Sequence, residues 1–235
     1  MPRPLSWRVT AGASVLLSLV LALTGCSSGS SQARQQTPHQ VLATAKQHLD
    51  RAQSVHLVLS TSATPQTGSA VLGADGVLTH QPAFRGKVKV LLGGFTADVP
   101  VVAVGGTVHA RLPLTTHYAV IDPSEYGAPD PAAFADPSHG LSGLLLQVQR
   151  PHETGRKRDG EQVLTTYTGT LPGDRVQQVI PSADPDTPYR TVVGIDDRGR
   201  VVTVTITGHF FSASQQATYD LAFDSYGRRV HVTAP

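Results

Sequence analysis

Four runs in this chain alternate apolar and polar side chains with a period of two, which constrains the fold more than any other feature. Val55, Leu57 and Leu59 alternate with His56, Val58 and Ser60. Val108, Ala110 and Leu112 alternate with Thr107, His109 and Arg111. Val202, Val204 and Ile206 alternate with Val201, Thr203 and Thr205, and Tyr219, Leu221 and Phe223 with Asp220, Ala222 and Asp224. Successive side chains of a strand point to opposite faces, so this pattern makes one face of each strand apolar. Turn signals lie between the runs: Asp75-Gly76, Gly93-Gly94, Gly105-Gly106, Asp197-Arg198-Gly199 and Tyr226-Gly227. Alternating strands joined by short turns specify an antiparallel sheet, here of about eight strands or more.

A sheet with one apolar face needs a cover. Thr37 followed by Pro38 is a helix-starting pair, and Val41, Leu42, Ala45, Leu49 and Ala52 recur at helical spacing, which predicts a helix over 38–53. Leu141, Leu144, Leu145 and Val148 predict a second, with Asp136 or Ser138 as its cap. Val176, Val179 and Ile180 predict a third within 172–180, stopped by Pro181. Between the strands and these last helices lies DPSEYGAPDPAAFADPSHG, residues 122–140, rich in proline and turn formers. Residues 123–136 are the best candidate for a domain break. Neither flank has a closed set of strands, so one α+β domain over 38–235 is the economical reading.

The N-terminal residues carry a different signal. Arg3 and Arg8 precede an apolar run, Ala11 to Leu23, of 13 residues. A helix that spans a bilayer needs about 20, so the run suits a signal peptide. The junction Leu23-Thr24-Gly25-Cys26 resembles a bacterial lipobox. That resemblance implies a signal peptide over 1–25, an acylated Cys26 as the new N-terminus, and an extracytoplasmic protein held to the cell membrane by its lipid. The competing reading is an ordinary secretory peptide followed by a stray cysteine. Cys26 is the only cysteine, so no disulfide can form within the chain. The small polar residues of 26–37 form a flexible tether.

Charge and motifs narrow the function. Without Arg3 and Arg8 the chain has 17 basic residues against 17 acidic ones, which lacks the basic field of a nucleic-acid binder. The sequence has no Gly-x-Ser-x-Gly elbow, P-loop, Gly-x-Gly-x-x-Gly or His-Glu-x-x-His; Gly140-Leu-Ser-Gly has the wrong spacing for an elbow. The ten histidines are scattered, and no metal-ligand set is indicated. Asp196-Asp197, near Arg198 and Arg200, reads as a hairpin turn with solvated charges. Arg156-Lys157-Arg158 reads as a loop, either plainly solvated or touching anionic headgroups.

Residues 86–112, GKVKVLLGGFTADVPVVAVGGTVHARL, resemble the LppX/LprAFG family of actinobacterial lipoproteins. The matching positions include Gly86, Val88, Val90, Gly93, Gly94, Ala97, Asp98, Val99 and Pro100, then Val102, Gly106, Thr107, Ala110 and Leu112. FADPSHGLSGLLLQV (134–148) and TVVGIDDRGRVVTVTITG (191–208) match more weakly. Arg111 replaces the usual lysine, His109 a typical aromatic, and 181–189 is hard to align. The resemblance implies an antiparallel sheet curved into a half-barrel around a few helices, enclosing an apolar cavity for acyl chains. It implies no enzyme, cofactor or metal. The implied partners are an acylated lipid or glycolipid and the membrane that holds the anchor, with a membrane transporter as a further candidate and no nucleic acid. The predicted helices are too slender to fill the concave side of such a sheet, and an apolar shortfall stays dry.

Candidate cavity residues are Val88, Val90, Leu92, Val99, Val101, Val108 and Leu112, with Leu141, Leu144 and Leu145 from the helix. Each is explained equally well as ordinary core. Two functions therefore stand: a lipid-anchored carrier that assists glycolipid or lipoglycan transfer across the envelope, and a non-enzymatic surface interaction or sensor module with a filled core.

Overall fold

The computed structural model describes residues 36–61, 63–65 and 68–235. The expected signal peptide, Cys26 and all of the tether except Gln36 and Thr37 lie outside the described residues. Helix α1 (Pro38–Arg51) opens with Thr37 as its cap. The Gln40 amide donates to Thr37 Oγ1 at 3.3 Å, and the Thr37 amide donates back to Gln40 Oε1 at 2.9 Å. This reciprocal box satisfies two amides that no helical carbonyl can reach. The helix stops two residues short of the expected Gln53, because Ala52 is already extended and the first strand starts at Ser54.

From there the chain meanders outward through β1 (Ser54–Thr61), β2 (Ala70–Thr79), β3 (Ala83–Leu92), β4 (Phe95–Val104), β5 (Thr107–Ala110) and β6 (Ala119–Ile121). It returns through two 3-10 helices, Pro123–Tyr126 and Pro131–Ala135, and through α2 (Leu141–Gln147). A second meander follows: β7 (Gln149–Asp159), β8 (Gln162–Leu171), α3 (Gly173–Val179), β9 (Tyr189–Ile195), β10 (Val201–Ser212) and β11 (Gln215–Asp224). The described strands form one antiparallel sheet in the order β6-β5-β4-β3-β2-β1-β11-β10-β9-β8-β7. The sheet is open and curved, as expected of this α+β class. Gln36–Pro235 makes one compact unit.

The first and last strands meet at the middle of the sheet. On the inner face Leu57 stands opposite Phe223 and Leu59 opposite Leu221, all buried. On the outer face His56 bridges three strands, with Nε2 2.9 Å from Asp75 Oδ1 and Nδ1 3.0 Å from Asp224 Oδ2. Burial is the strongest influence on the imidazole and lowers its pKa. The hydrogen bonds and charges of Asp75 and Asp224 together outweigh it, and the net shift is upward.

Several local expectations need correction. Asp75-Gly76 is not a turn but lies inside β2, where Gly76 faces Gly86 of β3. A side chain at Gly76 would come within 2.6 Å of the Phe84 ring, and one at Gly86 would overlap the Asp75 carbonyl oxygen. These glycines serve close approach rather than reversal. Arg156-Lys157-Arg158 sits in edge strand β7, not in a loop; charged side chains there blunt an exposed sheet edge. Asp196 does sit in the β9–β10 turn, yet its side chain is only 3% exposed. Its Oδ1 accepts from the amides of Arg198 (3.0 Å) and Arg200 (2.8 Å). Its Oδ2 accepts from Arg200 Nε (2.8 Å) and Nη2 (2.7 Å), and that guanidinium lies 5.3 Å from the Tyr226 ring centroid. The pair is a structural clasp rather than a solvated cluster.

Two outcomes follow from this packing. Gly86→Ala forces apart β2 and β3 and costs about 1–3 kcal/mol of stability in urea unfolding, as overpacked sites do. A histidine whose folded pKa lies above 6.5 contributes stability that is full below that value and is lost as pH rises through the folded pKa. His56→Gln therefore loses most stability relative to wild type in mildly acidic buffer, and the gap narrows with rising pH; a gap that widens instead contradicts the assignment.

Candidate functional site

Inward residues of β3, β4 and β5 form the floor of an apolar hollow. Val88, Val90 and Leu92 come from β3, Val99 and Val101 from β4, and Val108 from β5, with Leu112 just beyond. Val71 and Ala74 extend this floor onto β2. They lie three residues apart and still share a face, because the register shifts between Val71 and Gly73. Such a bulge sets two residues against one and hides the strand from a strict period-two search.

The roof is the proline-rich segment, which contributes Pro123, Tyr126, Pro129, Pro131 and Phe134. It is built by three Asp-Pro steps. Asp122 Oδ1 accepts from the Ser124 amide at 2.9 Å and the Ser124 hydroxyl at 2.7 Å, which hold its carboxyl below the usual range. Asp130 Oδ1 accepts from the Ala132 amide at 2.8 Å. Asp136 Oδ1 accepts from the amides of His139 (2.6 Å) and Ser138 (2.8 Å), and its carboxyl is likewise held low. Each carboxylate satisfies amides that the turn would otherwise strand. Pro123, Pro129 and Pro131 have no amide at all, so the roof presents little to water on its inner side. Asp136 thus caps the turn ahead of α2, whereas the α2 N-cap itself is Gly140 with no side-chain bond.

The hollow is a narrow slot, part open to solvent, with a cavity volume of about 60 Å³. No charged side chain lines it among the described residues. Phe95, which pairs with the slot-lining Leu92, is 80% exposed, and Leu114, two residues past Leu112, is fully exposed. His109 stands opposite Val102, on the face away from Val108 and the slot.

Leu141, Leu144 and Leu145 are not brought to this slot. They lie on the inner face of α2, across a second void of about 20 Å³ from Leu171, Val193 and Ile206. Leu141 also borders a third void, of about 30 Å³, with Val55, Leu78 and Phe223. Its wall includes a polar link between helices. Ser142 Oγ donates to Asp50 Oδ1 at 2.6 Å, and Lys46 Nζ donates to Asp50 Oδ2 at 2.5 Å. The buried hydroxyl of Gly140-Leu-Ser-Gly thus joins α2 to α1. Among the described residues, no group of three or more His, Cys, Asp or Glu could hold a metal ion, and no helix is long and apolar enough to cross a membrane.

The residues missed from sequence are Val71, Ala74, Ile121 of β6 and the roof. The β2 bulge concealed the first two. The roof had a readable sign, Asp-Pro repeated three times in 122–137, but that pattern specifies turns, not which surface they cover.

Comparison with known proteins places this geometry in context. A family model described as LppX_LprAFG lipoprotein matches residues 37–232. The chain is 25% identical over 232 residues to a Mycobacterium tuberculosis protein named lipoarabinomannan carrier protein LprG, covering 94% of each. LprG of Mycobacterium bovis matches to the same extent. Among solved structures, LprF from Mycobacterium bovis is similar with a TM-score of 0.69 at 18% identity, over 84% of this chain and 96% of that one. LppX from Mycobacterium tuberculosis is similar with a TM-score of 0.61 at 16% identity, over 83% and 98%. These two likenesses establish the fold.

Proposed function

Since this chain belongs to the LppX/LprAFG lipoprotein family, we propose that it is a lipid-anchored carrier on the extracytoplasmic face of the cell membrane. It takes acyl chains of a glycolipid or lipoglycan into the slot over β2–β5 and assists their transfer across the envelope. It acts without catalysis or cofactor, and a membrane transporter is a candidate for handing lipid on. The name of the LprG relatives supports the ligand class. The observation that carries the reading is the slot itself, with apolar side chains on its floor and a proline-rich roof.

The energetics suit a carrier. A bilayer interior is about as apolar as this slot, so moving a chain between them changes little free energy. The slot matters in the water between membranes, where each sheltered CH₂ avoids a cost of about 0.8 kcal/mol. The narrowness of the slot favours one competitor, a surface module whose core is nearly filled.

Lipid extraction of the Gln36–Pro235 unit, purified from its native host, separates the two. Mass spectrometry is expected to find acyl lipid in stoichiometric amount, and a clean blank favours the module. Val99→Trp should fill the slot. Displacing two or more CH₂ groups lowers lipid affinity about tenfold or more, while circular dichroism stays that of the folded protein. Unchanged uptake in this variant and in Val90→Trp counts against the slot as the site. Cys26→Ala is expected to fold normally and leave the membrane fraction on fractionation; retention there would assign the anchor to residues 11–23.

A further inference from the structure

The voids of the inner face are separated by very little. Phe134 borders the slot over β2–β5, the part-polar void beneath α1 that includes Leu78 and Asp50, and a further void of about 20 Å³ beside Leu59 and Tyr219. Beyond, Leu141 and Phe223 are shared between the void beneath α1 and the void beneath α2. Together these spaces run along the strands. The slot reaches Val71 near the start of β2, and the α1 void reaches Leu78 near its end. Seven residue steps of strand cover about 23 Å. One aromatic ring stands at the junction.

We propose that the Phe134 side chain is a partition that sets the length of acyl chain this protein accepts. With the ring in place, the slot over β2–β5 ends at it. With the ring turned aside, the slot continues into the void under α1 and towards α2. This rests on the carrier reading and adds to it the device by which one chain length is preferred to another.

The surroundings of Phe134 favour motion of the ring over motion of the backbone. The Asp130 carboxylate fixes the start of the 3-10 helix, and the Asp136 amide donates to the Ala133 carbonyl at 3.0 Å. Gly140 packs so closely that a side chain there would come within 2.5 Å of the Phe134 carbonyl oxygen. The backbone on both sides is therefore held. The ring is half-buried, packs against the main core and borders three small voids, so rotation about its side-chain torsions is the available route. The neighbours Ala132, Ala133 and Ala135 offer little bulk to oppose it.

The test uses the Gln36–Pro235 unit, stripped of lipid, with decanoic, palmitic and behenic acids displacing a fluorescent fatty acid. Each CH₂ admitted to apolar space strengthens binding about fourfold. Wild type should gain affinity from the shortest acid upward and then level off. Phe134→Ala should continue to gain, about fourfold per added CH₂ over several groups, and Phe134→Trp should level off sooner. Phe134→Leu keeps an apolar side chain of moderate bulk and should show the longer reach even if Phe134→Ala unfolds, as thermal melts would reveal. Length profiles that coincide in wild type, Phe134→Leu and Phe134→Trp, with binding intact, overturn the partition and leave the carrier reading standing. Wild type that binds none of the acids overturns both.

Discussion

The connection from one edge of the sheet to the other decides most of what this molecule can be. The first six strands meander from the centre to one edge, and the last five begin at the opposite edge and return to pair with β1. The chain must therefore cross the sheet once, between β6 and β7. It crosses on the apolar face, since that face needs cover. A crossing segment over an apolar surface must satisfy its own polar backbone. Residues 122–140 do so locally, with Asp122, Asp130 and Asp136 accepting from nearby amides and prolines removing others. Such a roof needs little from the floor beneath it, and so it can lie over the sheet without being packed tightly into it.

The position of the slack follows from where the bulky residues are. At the β9–β11 end, the rings of Tyr189, Phe210 and Tyr219 fill the space, with centroids 4.8 Å and 4.7 Å apart in successive pairs. The Tyr219 hydroxyl donates to the Val71 carbonyl at 2.6 Å and ties that cluster to β2. The slot-facing side chains of β2 to β5 are Val, Ala and Leu, and the buried Phe84 ring of β3 lies outside the slot lining. Small residues on a curved floor beneath a self-sufficient roof leave a slot, and Tyr126 and Phe134 line it from above. The rings of β9–β11 pack against one another, and the slot opens where its floor carries none.

Much of this was legible in sequence. The alternation of Val88, Val90 and Leu92 and of Val99 and Val101 identifies one face of two paired strands, and those residues do share one hollow. Alternation has no means of choosing between a lined hollow and a packed core, because both demand the same apolar side chains. Leu141, Leu144 and Leu145 illustrate this, since they sit inward on α2 yet border a different void. The bulge between Val71 and Gly73 breaks the period-two alternation of β2, and Asp75-Gly76 further along reads as a turn until the partner strand sets Gly76 opposite Gly86. Asp196 looked solvated because its partner Arg200 is close in sequence, whereas burial beneath Tyr226 depends on a segment far along the chain.

A protein that keeps apolar space must bear its cost when nothing occupies it. Cavity formation costs about 24 cal/mol per Å³, so the 60 Å³ open to a water-sized sphere corresponds to about 1.4 kcal/mol. That is small against the roughly 5–15 kcal/mol by which domains are stable. A single wide cavity long enough for an acyl chain would cost several times more. Dividing the same space with a movable ring keeps each compartment narrow while empty and makes it continuous when a chain enters. On this view the partition at Phe134 limits the cost of emptiness, and rotation of its ring opens the path when a ligand offsets that cost.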